Sequence, residues 1–270
     1  MSVSQSNRVH VPIILILLAS GTPVSAQGDS EDRIGLPRDP QTPVIELFTS
    51  SGRADSRRPD RMLVVTADGT VAVAAGNGVA RQSSARLSRD ELLDLLSDLI
   101  STHRILQCRS DQLLQEAERA GRAAGLDWKF PKATTTIIRI RLSGGVHEVR
   151  CTAAELLAER FPDAESVQNF NGALLRLQNL IAVTQIGGAA EAQRLCDIAN
   201  SELRVTGDRR NGVTARDIQS VRENRQGLRL VQFHLSQDDN GDSPNALISV
   251  VESQDSPAQV TITPLPRRER

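Results

Sequence analysis

The chain has 270 residues, 39% of them hydrophobic, and a formal net charge of −1. Near-neutrality removes the electrostatic case for a nucleic-acid or anionic-membrane partner. With no Tyr, one Trp and five Phe, sugar- or base-stacking sites are disfavoured as well.

At the N-terminus, Arg8 and His10 flank the apolar run VPIILILLAS, and small residues follow at Val24–Ala26. This is the pattern of a secretory signal over residues 1–26, with cleavage after Ala26. The run is about half the ~20 residues that a transmembrane helix needs. No later stretch has that length, so no membrane insertion is expected after cleavage. The mature chain of 244 residues is expected to be exported, to the periplasm or the medium.

Residues 27–42 are polar with two prolines, which predicts a flexible leader. A strand is expected over 44–50. Next comes the hairpin RMLVVTADGTVAVA, for which Asp68-Gly69 suits a two-residue turn with Val64 opposite Val73. Both its faces are apolar or small, which predicts cover on both sides.

Ser88 and Glu91 form a capping box before Leu92, Leu95, Leu96, Leu99 and Ile100, which recur at helical spacing. A second helix is expected from Ser110 to Gly125. In TIIRIRLSGGVHEVRC, a Gly144-Gly145 turn pairs Leu142 with His147, Ile140 with Val149 and Ile138 with Cys151. The charged face then pairs Arg141 with Glu148 and Arg139 with Arg150. Thr152 and Glu155 read as another capping box, and Asp163 as the cap of a helix bearing Val167, Phe170, Leu174, Leu177 and Ile181. A further helix over 187–203, a short one capped by Thr214, and strands at 228–236, 245–253 and 258–264 complete the reading.

The fold class is therefore α+β: antiparallel hairpins packed by amphipathic helices. Residues 43–186 are expected to hold two hairpin–helix units, and 187–263 a helix plus antiparallel strands. A disordered basic tail would span 264–270, and the recurrence suggests two similar subdomains.

The order of DRMLVVTADGTVAV, RLSRDELLDLLSDLI, TTTIIRIRLSGGVHEVRC and GLRLVQFHLS behind an exported leader resembles a group of uncharacterised exported bacterial proteins. The resemblance spans most of the mature chain and rests on hairpins and caps. It implies no activity, cofactor or catalytic residue. Cys at the end of the second hairpin is a departure, since an aromatic is expected there.

HEVRC, from His147 to Cys151, is a near miss for the zinc-protease H-E-x-x-H, which requires a helix. Here it lies in a strand, with His147 and Cys151 toward the core. A nucleophilic pairing of Cys108, Cys151 or Cys196 with His103, His147 or His234 has no local motif behind it. SSG at 50–52 and LSGG at 142–145 are not nucleophile elbows, and no phosphate-binding glycine loop opens a helix. In SQDDNGDSPN, Asp238, Asn240 and Asp242 alternate as in a calcium loop, but the glycine is misplaced. RADSRRPDR reads as a solvated loop.

No catalytic residue, cofactor or metal is expected. The cysteines admit two readings: three packing thiols, or a bridge between Cys108 and Cys151 with Cys196 spare. Such a bridge closes a 43-residue loop and would contribute roughly 3–4 kcal/mol. The preferred functional expectation is a non-enzymatic interaction or structural module of the cell envelope, partnered by another envelope protein. Two alternatives stand beside it. One is an enzyme, a hydrolase with a site assembled from scattered residues. The other is an inhibitor or peptide binder that uses a sheet edge, for which the uncharged AQVTITP is the candidate.

Overall fold

Alternating apolar residues at Ile45 and Leu47 place strand β1 (Pro43–Ser50) at the heart of a six-stranded antiparallel sheet. Its companions are β2 (Asp60–Thr66), β3 (Thr70–Val73), β4 (Ser83–Arg86), β5 (Thr135–Leu142) and β6 (Gly145–Thr152), in the order β4-β3-β2-β1-β5-β6. The computed structural model describes residues 34–52, 59–75, 82–206, 212–224, 227–235, 245–253 and 256–265. All the described residues belong to one compact unit. The predicted signal segment, the leader up to residue 33 and the last five residues of the predicted tail lie outside the described residues.

Helices α1 (Arg89–Ser97), α2 (Ser110–Ala124), α3 (Ala154–Arg160) and α4 (Glu165–Gln185) supply the apolar cover of this sheet. Leu92, Leu96, Leu113, Val167, Phe170 and Leu177 are buried with Ile45, Leu63, Val65, Ile138 and Ile140 in one core. The stripe on α1 ends in a π-helical turn over Asp98–Thr102, which carries Leu99 into the same core. The opposite sheet face is charged. Glu46 is only 7% exposed yet is held by Arg139 at 3.2 Å and Arg61 at 3.4 Å, and Glu148 links Arg139 to Arg150.

The C-terminal part is a second antiparallel sheet of β7 (Ile218–Glu223), β8 (Arg229–Leu235), β9 (Ala246–Ser253) and β10 (Ser256–Pro264), ordered β10-β9-β8-β7. Helix α5 (Ala189–Val205) lays Leu195, Cys196, Ala199 and Leu203 on Val231, Phe233, Ile248 and Val250 in a second core. One helix serves both cores: Ile181 of α4 belongs to the first, Ala182 to the second.

The α+β class and the amphipathic helices are as read from the sequence, and several local details are not. The first hairpin closes over three residues, with the Gly69 amide donating to the Thr66 carbonyl at 2.9 Å and Gly69 at φ +82°. The register therefore moves by one and sets Leu63 opposite Val73 and Val65 opposite Val71. Asp68 fixes this turn by accepting bonds from the Thr66 hydroxyl and the Thr70 amide. One face is fully buried, with Leu63, Val65, Val71 and Val73, and the other only partly, with Met62, Val64 and Ala72.

The second hairpin turns at Ser143-Gly144, two residues off the expected pairing, with Ile140 opposite His147 and Ile138 opposite Val149. A slip of two keeps every side chain on its face. It also replaces the expected Arg139–Arg150 opposition with Arg139–Glu148, exchanging like charges for an ion pair at 2.5–2.9 Å.

Thr152 does not cap α3: its hydroxyl meets that of Thr135, and Ala153 enters the helix from a left-handed conformation. Ala164, not Asp163, precedes α4, and it makes no side-chain cap. Ser83–Arg86 and Ile218–Glu223 are strands that the sequence reading missed. From Ile34 onward the supposed leader is docked, with Gly35 accepting from the Ser143 amide at 2.7 Å and Pro40 from the Asp68 amide at 3.0 Å.

Candidate functional site

Two features of the surface stand out: an apolar pocket beside β6 and an open strand edge at β10. The pocket has its origin at the end of α2. Gly125 takes φ +65° and the Leu126 amide returns to the Gly121 carbonyl at 2.9 Å, which turns the chain off the helix. Gly121 then admits Trp128, since a Cβ there would stand 2.9 Å from the indole Cδ1. The Lys129 amide donates to Asp127 Oδ1 at 2.9 Å, and Arg160 clamps the segment by donating to the Asp127 carbonyl and covering the Phe130 ring.

The resulting cavity, of about 620 Å³, is walled by Leu113, Leu114, Trp128, Phe130 and Leu157, with Cys151 at its base. Its volume falls within the roughly 300–1,000 Å³ typical of ligand pockets. Asp127, Lys129, Arg150, Ser110 and Thr152 bring polar atoms to its lining. The Lys129 ammonium lies 5.0 Å from the Trp128 ring centroid, and no carboxylate among the described residues pairs with it.

Sequence reasoning missed this site. The available signal was DWKFPK, which places two of the chain's six aromatic residues on either side of Lys129, just after a helix-ending glycine.

Strand β10 is an outer strand of the second sheet and, among the described residues, pairs with β9 alone. The Leu265 amide donates to the Asn245 carbonyl at 2.7 Å, and the ladder sets Thr263 opposite Leu247 and Thr261 opposite Ser249. Antiparallel pairs alternate, so the Thr261 and Thr263 amides face β9 and those of Val260 and Ile262 face outward. Val260 and Ile262 rest their side chains on the second core. Gln259, Thr261 and Thr263 are exposed. SPAQVTITP contains no charged residue, which leaves the edge without the usual guard against pairing.

The residues of HEVRC remain structural. Glu148 is bound by Arg139 and Arg150, while His147 is half-buried opposite Ile140. Cys108, Cys151 and Cys196 are buried free thiols. Burial pushes them up, Cys108 and Cys196 to about 11 and Cys151 to about 12, the reverse of what a thiolate nucleophile needs. Cys108 and Cys151, the pair considered for a bridge, share the first core. The Cys108 thiol lies 3.7 Å from the Arg104 carbonyl and 3.9 Å from that of Ser166.

His103 packs its ring against Gly172, and burial lowers its pKa. His234 lines a polar recess of about 390 Å³ with Glu155, Arg216 and Asp217. There Glu155 accepts from Gln178, and Asp217 is occupied in capping Thr214.

Among the described residues, no three of His, Cys, Asp and Glu gather as a metal-ligand set, and no helix is long and apolar enough to cross a membrane. The calcium-like stretch 236–244 and loop residues 53–58 lie outside the described residues.

These features define an α+β protein of two antiparallel sheets joined through one helix, with a pocket on one sheet and an open edge on the other. No protein family, curated protein or solved structure matches the chain.

Proposed function

We propose that the chain is an exported, non-enzymatic interaction protein of the cell envelope that receives an extended segment of a partner protein along β10. The observation carrying this reading is the uncharged outer edge of that strand, with its Val260 and Ile262 amides directed away from β9. Main-chain hydrogen bonds to an added strand supply affinity, and side chains on either face supply selectivity. Here the partner's residues would alternate between the exposed Gln259, Thr261 and Thr263 and the α5 side. Export rests on the N-terminal pattern of charge, apolar run and small residues.

The test is site-specific photocrosslinking in the producing organism's envelope fraction. A crosslinker at Thr261 is expected to trap one saturable partner through a contiguous peptide, competed away by untagged chain. The same group at Gln115, an exposed position on α2, is expected to trap none. Equal capture from both positions, or none from Thr261, contradicts the reading.

A further inference from the structure

We infer that the pocket between α2 and β6 binds a single-chain amphiphile with a carboxylate head, a free medium-chain fatty acid. The body of the cavity is suited to an acyl chain. Leu113, Leu114, Leu157 and the Trp128 and Phe130 rings line it. Leu114 is 55% exposed, a large apolar side chain left to water on the pocket wall.

The charged side chains of the lining bear on the sign of the head group. Asp127 accepts from the Lys129 amide at 2.9 Å and Arg150 is engaged by Glu148 through Nε and Nη2, whereas the Lys129 ammonium has no acidic partner among the described residues. The cation left for a ligand is therefore Lys129. The edge of β6 adds neutral donors on the same side. The Ala153 amide bonds the Thr134 carbonyl at 2.9 Å, which by alternation turns the Thr152 amide away from β5. The neighbouring outward amide, that of Arg150, donates to the Ser110 hydroxyl at 2.9 Å. That hydroxyl, having accepted, keeps its own proton to donate. An ammonium, an edge amide and a hydroxyl among the lining residues of an apolar cavity match a carboxylate above an acyl chain. An alcohol or an ammonium head would leave the cation unmatched or repelled.

Trp128 is the chain's only tryptophan, so its emission reports directly on the cavity. The experiment titrates the full chain with decanoate below its micellar concentration, with decanol and decyltrimethylammonium as controls and calorimetry as a second readout. Saturable one-to-one binding of decanoate is expected, about tenfold tighter than of either control. Leu114→Glu, at an exposed position, is expected to weaken decanoate at least about tenfold, and Lys129→Glu to abolish the preference over decanol. The inference is overturned by no saturable binding in either readout, by equal affinity for the cationic control, or by unchanged binding to Leu114→Glu. It is equally overturned if the chain binds phosphatidylglycerol vesicles but not decanoate. None of these outcomes bears on β10, which lies on the other sheet.

Discussion

Glu191 shows how single side chains tie the second sheet to its helix. Hydrogen bonds from Arg194, then from Arg229, hold its carboxyl at about 2 against an ordinary 4.5. Arg229 of β8 also grips Glu252 of β9 and the Ile186 carbonyl. The network therefore spans two strands and the start of α5, where a negative charge is favoured. Because the folded pKa lies below the unfolded one, the carboxylate contributes stability above pH 4.5 and loses it as the pH falls toward about 2. Glu191→Gln is expected to cost about 1–3 kcal/mol near neutrality. In urea titrations across that window its stability should vary less with pH than that of the parent, the two converging at the acid end. Parallel pH profiles would contradict this assignment.

At the scale of elements, α4 is the member on which both halves depend. Asn179, buried on this helix, donates from Nδ2 to the Ala215 carbonyl at 2.7 Å and the Ile218 carbonyl at 3.0 Å, fixing the entry to β7. Asn179→Leu keeps the volume but strands both carbonyls, with an expected cost of about 1–3 kcal/mol in thermal or urea unfolding. A loss below about 0.5 kcal/mol would show that the tether carries no weight. The helices themselves were legible in the sequence because 3.6-residue periodicity needs no partner to be seen: Leu92, Leu96, Phe170 and Leu177 all reach the core. Hairpin registers were legible only by face. The alternation of Ile138, Arg139 and Ile140 assigns sides, but turn length chooses among pairings, and at Asp68 a three-residue loop prevailed. SSAR at β4 carries no strand pattern; it pairs because β3 offers a ladder. The α2–β6 pocket was missed for a related reason. It exists only where Trp128, Leu114 and the edge of β6 meet in space.

Over the whole molecule, the first sheet closes one face with helices and covers the other with the Glu46–Arg139–Glu148 ion-pair ladder. The second sheet instead leaves β10 as an uncharged outer strand. The functional reading depends on that asymmetry, and amide hydrogen exchange on the free chain tests it most directly. The account predicts alternation along β10, with Thr261 and Thr263 protected by β9 and Val260 and Ile262 exchanging fast at an open edge. Protection of all four amides in the free chain would mean that the edge is already covered, and would contradict it.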